Sequence, residues 1–125
     1  MCDRMSLVKI LKPDFVFEDE RGMLAQLVSS GYTQVNAVFT KKGAVRGNFH
    51  YHKETKECFF VISGKIKITL SLDDITETYT FKSGDMFLVE ENVKHSFDYI
   101  EDTYLVVMYT ECVEKEDGKK DIFVD

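Results

Sequence analysis

The run Lys65-Ile66-Lys67-Ile68-Thr69-Leu70-Ser71-Leu72 alternates polar and apolar residues without a break. Successive side chains of a strand point to opposite faces, so an extended chain places Ile66, Ile68, Leu70 and Leu72 on one side and leaves the other to water. This pattern commits the chain to β-structure with one face buried. Immediately upstream, Cys58-Phe59-Phe60-Val61-Ile62 is aromatic and β-branched. The intervening Ser63-Gly64 has the positive-φ chemistry of a tight turn, so the pattern predicts a hairpin joining these two strands.

Similar runs recur at short intervals: Phe15 to Phe17, Met23 to Val28, Gln34 to Phe39, Ala44 to His52, Glu77 to Phe81, Met86 to Val89, His95 to Ile100 and Thr103 to Thr110. Turn-forming clusters separate them, among them Asp19-Glu20-Arg21-Gly22, Lys41-Lys42-Gly43 and Lys82-Ser83-Gly84-Asp85. No helical period competes. Short, evenly spaced strands predict an all-β fold, a sandwich or small antiparallel β-barrel. A chain of 125 residues with 44% hydrophobic residues and one proline fits a single domain with one core. The expected layout is a core over about 34–111, extra N-terminal strands in 8–33, and a charged C-terminal segment over 112–125. In that segment Val113 to Lys120 reads as an exposed link, and Ile122-Phe123-Val124 as a short final strand.

A net charge of −6 without a Lys/Arg-rich block repels polyanions, so nucleic acid is not an expected partner. Cys2, Cys58 and Cys112 are odd in number and contain no Cys-x-x-Cys pair, which fits a reducing compartment. No apolar run approaches the roughly 18 residues of a membrane span, and Met1 to Leu11 lacks a signal-peptide core. A cytoplasmic protein with no membrane partner is expected.

Two of the three histidines, His50 and His52, stand one residue apart. On a strand they share a face, and Tyr51 between them faces away. Glu57 follows five residues later, where a turn through Lys53 to Lys56 returns the chain beside the pair, and His95 opens a later strand. Imidazoles with one carboxylate suit a borderline divalent metal, and a buried Glu57 without such partners is costly. The ligand types do not choose among zinc, iron, manganese, nickel and cobalt.

His50-x-His52, four residues, Glu57, six residues, Gly64, followed by Gly84 and His95, resembles the two sequence boxes of the cupins. The resemblance implies a double-stranded β-helix, or jelly roll, in which His50, His52, Glu57 and His95 hold a divalent metal. In the second box Glu90-Glu91-Asn92 stands where cupins have Pro-x-Gly, and Asn92 is a residue that tolerates the left-handed backbone. Tyr99 stands where they have Asn.

The order Asp19-Glu20-Arg21-Gly22, then Arg46-Gly47 before the histidines, is similar to the dTDP-4-dehydrorhamnose 3,5-epimerases and dTDP-sugar 3,4-ketoisomerases over roughly residues 8 to 110. That likeness implies an isomerase or epimerase acting on a nucleotide-linked keto-deoxysugar in cell-surface polysaccharide biosynthesis. His50 or His52 would be the catalytic base, and Arg46 and Arg21 would bind substrate. Tyr32, Tyr99 and Tyr104 are candidate proton donors. His50 lies three residues after Gly47, one more than in those enzymes, which calls for a β-bulge or an altered register for Arg46. The other readings are a non-catalytic or sensory cupin holding a metal and a small ligand, and a metal-dependent dioxygenase. Uncovered strand edges predict a homodimer.

Overall fold

The structure is a computed structural model that describes residues 6–113 and 118–124. Met1–Met5, Glu114–Asp117 and Asp125 lie outside it, and with them Cys2, the start of the Met1–Leu11 segment and the middle of the charged C-terminal link. Eleven strands follow in order: β1 Val8–Leu11, β2 Phe15–Asp19, β3 Gly22–Gln26, β4 Gln34–Thr40, β5 Val45–His50, β6 Glu57–Ser63, β7 Lys65–Leu72, β8 Ile75–Lys82, β9 Met86–Val89, β10 Lys94–Tyr99 and β11 Thr103–Tyr109. There is no helix among the described residues. The all-β expectation holds, with β1 added, whose four residues the sequence pattern does not single out.

The strands form a five-stranded sheet, β1-β9-β6-β11-β4, a four-stranded sheet, β5-β10-β7-β8, and a separate β2-β3 ribbon. All pairings are antiparallel. The architecture is therefore a jelly-roll sandwich, and among the described residues the ladder does not close into a continuous barrel. The alternation of β7 does what its pattern requires. Ile66, Ile68 and Leu70 are fully buried and face the odd-numbered rows Phe59-Val61, Phe87-Val89 and Leu105-Val107 of the other sheet in one cluster. Each such side chain contributes about 1.5–3 kcal/mol by leaving water. A second cluster, Cys58, Phe60, Met86, Leu88 and Met108, lies on the outer face of the five-stranded sheet under Leu11, Leu27, Val28 and Tyr32.

The hairpin expected at Ser63-Gly64 is not formed. β6 pairs with β9 and β11, whereas β7 pairs with β8 and β10, so the chain changes sheets at Gly64. Alternation is the same on either side of a hairpin turn or a sheet-switching corner, and only the tertiary pairing separates the two. Gly64 has φ +106°, and an added Cβ would fall 2.4 Å from the Asp102 carbonyl oxygen and 2.7 Å from Thr103 Cα. The corner is thus a close backbone crossing as well as a turn. The expected final strand is reduced to one bridge, in which Tyr51 and Phe123 exchange two backbone hydrogen bonds of 3.0 Å.

Replacing Gly64 by Ala will destabilise the fold by about 3 kcal/mol, from positive-φ strain together with overpacking. Gly31→Ala, at a turn with nothing within 4 Å of the added carbon, will cost about 1 kcal/mol. Urea denaturation of both variants measures the difference.

Candidate functional site

The inward rows of the two sheets carry polar residues at one end. On β6 the buried row runs Val61, Phe59, Glu57, and on β10 it runs Tyr99, Phe97, His95. His95 stands directly opposite His50 in the β5–β10 ladder, and Tyr109 opposite Glu57 in the β6–β11 ladder. The one-residue excess before His50 is taken up by a bulge. Between His95 and Phe97 of β10 the β5 register jumps from His50 to Arg46, and Gly47, Asn48 and Phe49 all have positive φ. Gly47 lies against the His95 carbonyl, 2.9 Å from where a Cβ would stand. Asn92 takes the left-handed conformation its type allows, with φ 68°. Its N–H donates to the His52 carbonyl at 2.6 Å, tying the turn before His95 to the His50–His52 segment.

His50, His52, Glu57 and His95 converge, with one potential ligand atom from each lying within 4.8 Å of the others. The imidazole centroids are 4.4 Å apart for His50 and His95 and 5.0 Å for His50 and His52. Glu57 Oε1 lies against His52 Nε2 and 3.1 Å from His95 Nε2. All three atoms are buried, and none has a hydrogen-bond partner of acceptable geometry. The other ring nitrogens are satisfied: His95 Nδ1 donates to the Val93 carbonyl at 3.0 Å and His52 Nδ1 to the Asp121 carbonyl at 2.5 Å. With Nδ1 engaged by a carbonyl, each ring presents its Nε2 to Glu57. Two imidazole Nε2 atoms and a carboxylate oxygen, buried together without hydrogen-bond partners, fit a divalent cation once the imidazoles give up their inward protons.

Burial would raise the Glu57 pKa, but the adjoining His52 and His95 outweigh it and hold the group down at about 2. Burial also pulls the His52 pKa down, yet Glu57 and Asp121 more than offset it and leave that pKa raised. His50 behaves oppositely: burial, reinforced by His95, lowers its pKa to about 4. His50 is therefore a neutral imidazole at neutral pH.

Beside the cluster a cavity of about 180 Å³ is lined by Arg46, His50, Glu57, His95, Tyr99 and Tyr109 over an apolar floor that includes Phe59 and Val107. Arg46 Nε donates to Thr40 Oγ1 at 2.7 Å, which pins the guanidinium at the wall. Burial raises the pKa values of Tyr99 and Tyr109, so both phenols stay protonated. Tyr109 was not singled out from sequence, although the same period of two that buries Leu105 and Val107 puts it on the inward row. Asp121 carried no signal at all.

The remaining candidates lie elsewhere. Tyr51 turns away from the histidines and packs on Phe123. Tyr32 packs on the outer cluster, and Tyr104 is exposed and lies tilted against Phe39. Arg21 occupies the exposed β2–β3 turn, paired with Asp19 at 2.5 Å, and lines a separate hollow with Phe17 and Met23.

The family model described as Cupin domain matches residues 38–110, more than half of the chain. No curated protein sequence gives a significant match. Among solved structures, a sugar 3,4-ketoisomerase from Thermoanaerobacterium thermosaccharolyticum in complex with TDP superposes with a TM-score of 0.80 at 19% identity, covering 98% of this chain and 90% of that one. A TDP-quinovose 3,4-ketoisomerase from Campylobacter jejuni gives 0.76 at 19% identity, covering 94% of each chain. A dTDP-4-dehydrorhamnose 3,5-epimerase from Sulfolobus tokodaii gives 0.70 at 24% identity, covering 87% of this chain and 73% of that one. At these identities the likeness is one of fold.

The His50 shift predicts a pH dependence in chelator-treated protein. A histidine whose folded pKa is depressed adds stability that is present above its unfolded pKa of 6.5 and is lost as the pH falls from 6.5 towards 4. Denaturation midpoints will therefore fall across that window, and His50→Gln will flatten the slope. An unchanged slope in the variant would mean that His50 is not held neutral by its surroundings.

Proposed function

The chain belongs to the cupin domain family, and we propose that it is an isomerase or epimerase acting on a nucleotide-linked keto-deoxysugar, with a place in cell-surface polysaccharide biosynthesis. The observation that carries this reading is a neutral His50 lining the same small cavity as Arg46 and two protonated tyrosines. Fold-level likeness adds to it. One of the similar structures is a 3,4-ketoisomerase holding TDP-4-keto-6-deoxyglucose, and nucleotide-sugar enzymes recur among the others.

His50, and not His52, is the base in this reading. His52 is buried, with Nδ1 bonded to the Asp121 carbonyl and Nε2 shut in against Glu57, while the half-buried His50 lines the cavity. A cavity of about 180 Å³ is smaller than the roughly 300–1,000 Å³ that takes a whole drug-sized ligand. It admits a single sugar ring and leaves the nucleotide at the mouth. There Arg46 meets a phosphate with its planar fork. Arg21, on the β2–β3 turn, lies outside the cavity and reaches substrate only from a second subunit, which is the role we assign to a homodimer.

His50 takes the proton from the carbon beside the ketone, and the C–H electron pair moves into an enediolate whose charge collects on the former carbonyl oxygen. Tyr99 or Tyr109 donates to that oxygen. Return of a proton to the opposite face of the same carbon gives an epimer. For the isomeric ketone, His50 returns the proton to the former carbonyl carbon, whose oxygen keeps the tyrosine's proton as a hydroxyl. The hydroxyl on the deprotonated carbon gives its proton back to the tyrosinate and becomes the new carbonyl. With a divalent metal, zinc, iron, manganese, nickel or cobalt, His50 would instead be a ligand beside His52, Glu57 and His95, its lone pair no longer free to act as a base, and the metal would supply Lewis-acid polarisation of a substrate oxygen. The orphaned His52, Glu57 and His95 atoms also favour a second reading, a metal cupin that binds a small ligand without turnover. We place the protein in the cytoplasm, where activated sugars are made.

Incubated in deuterium oxide with a TDP-linked 4-keto-6-deoxysugar, the protein will exchange a carbon-bound proton beside the ketone. His50→Asn will slow exchange about 10²–10⁴-fold, and Arg46→Ala will raise KM about tenfold or more. No exchange with any of the five metals or with chelator would remove the isomerase reading and leave the binding one. Light scattering will give twice the monomer mass at micromolar concentration.

A further inference from the structure

The C-terminal segment crosses the mouth of the β5–β6 turn and brings Asp121 into the interior, where it is 5% exposed. Its carboxylate accepts three hydrogen bonds: Lys53 N–H to Oδ1 at 2.8 Å, Glu54 N–H to Oδ2 at 2.9 Å, and the hydroxyl of fully buried Thr55 to Oδ2 at 2.7 Å. Its main-chain carbonyl accepts from His52 Nδ1 at 2.5 Å. The segment is anchored on both sides of this residue, by Asp121 N–H to the Val113 carbonyl at 2.8 Å and by the reciprocal Tyr51–Phe123 bonds. Lys53 Nζ lies 4.3 Å above the Phe123 ring.

We propose that Asp121 is a positioning residue that fixes the orientation and tautomer of His52 and the path of the chain from His52 to Glu57. A carbonyl oxygen only accepts, so Nδ1 must carry a proton, which leaves Nε2 as the nitrogen that faces Glu57 and that is free of hydrogen when the ring is neutral. The side chain of the same residue grips the turn over residues 53–55, the piece of backbone that decides where Glu57 starts β6. One residue thus sets two of the four converging groups without touching the centre they form. His95 is the contrast, since its Nδ1 is held by Val93, two residues away on its own chain segment, whereas Asp121 is 69 residues from His52. The inference rests on the metal-capable site and not on the identity of the sugar.

The test compares wild type with Asp121→Ala and Asp121→Asn in two measurements. Cobalt(II) affinity, read against a competing chelator, will fall about 10–100-fold in Asp121→Ala and by less in Asp121→Asn, which keeps one acceptor oxygen. Long-range ¹⁵N–¹H spectra of the metal-free histidine rings, at a pH where they are neutral, will show His52 as the Nδ1–H tautomer in wild type and as a tautomer mixture in Asp121→Ala, with His95 unchanged. A folded Asp121→Ala with the wild-type His52 pattern overturns the proposal, and so does one in which His95 changes as much as His52. If Asp121→Ala does not fold, Thr55→Val removes one of the same bonds and must shift His52 in the same direction, an unchanged pattern again overturning it. Wild-type protein that takes up no cobalt removes the metal, while the tautomer comparison still decides the role of Asp121.

Discussion

A carboxylate buried between two sheets of apolar side chains is the constraint to which the rest of the site answers. Glu57 is 4% exposed and continues the row that holds Phe59 and Val61, a position where an uncompensated charge costs several kcal/mol. The fold resolves this by aiming two imidazoles at it from different parts of the chain. His95 comes from the facing sheet, and His52 from the turn that precedes β6. Loss of either partner would leave a buried charge uncovered, so the three residues stand or fall as a unit.

Holding two imidazoles on one carboxylate requires that their outer nitrogens be occupied. The protein uses main-chain carbonyls for both, those of Val93 and Asp121. Carbonyls cannot donate, so they set the tautomer without adding charge. His50 is treated differently. Burial and the neighbouring His95 keep it uncharged, which separates it in charge preference from His52, whose ring lies 5.0 Å away. Environment thus gives similar residues different tasks.

The polar end of the sandwich and its apolar body also divide the work. The body, with Ile66, Ile68, Leu70, Phe87 and Val61 nearly free of solvent, supplies the rigidity that holds the bulge at Gly47 to Phe49 in a left-handed path. The bulge carries Arg46 and His50 to the same cavity although they are four residues apart. A regular strand would put both on one face but at a different spacing from His95 and Phe97.

Much of this was legible in the residues. Period-two alternation marked β7 and the inward rows of β6, β10 and β11, because the pleat leaves no other way to bury those side chains. The spacing of His50, His52, Glu57 and His95, together with the cupin-like boxes, pointed to one centre, and the extra residue after Gly47 called for the bulge. Where strands pair was not legible. Ser63-Gly64 reads equally as a hairpin or a corner, and only the packing of Gly64 on Asp102 and Thr103 makes it a change of sheet. Arg21, expected from sequence to bind substrate, lines within one chain a different hollow from the one that Arg46 and His50 line. What the sequence determined by itself was the set of strands and the chemistry they carry, since both follow from local alternation and residue type. That Asp121 serves His52, and that His50 alone of the first pair lines the cavity, were decided by tertiary structure, because each depends on segments that meet only when the two sheets close on one another.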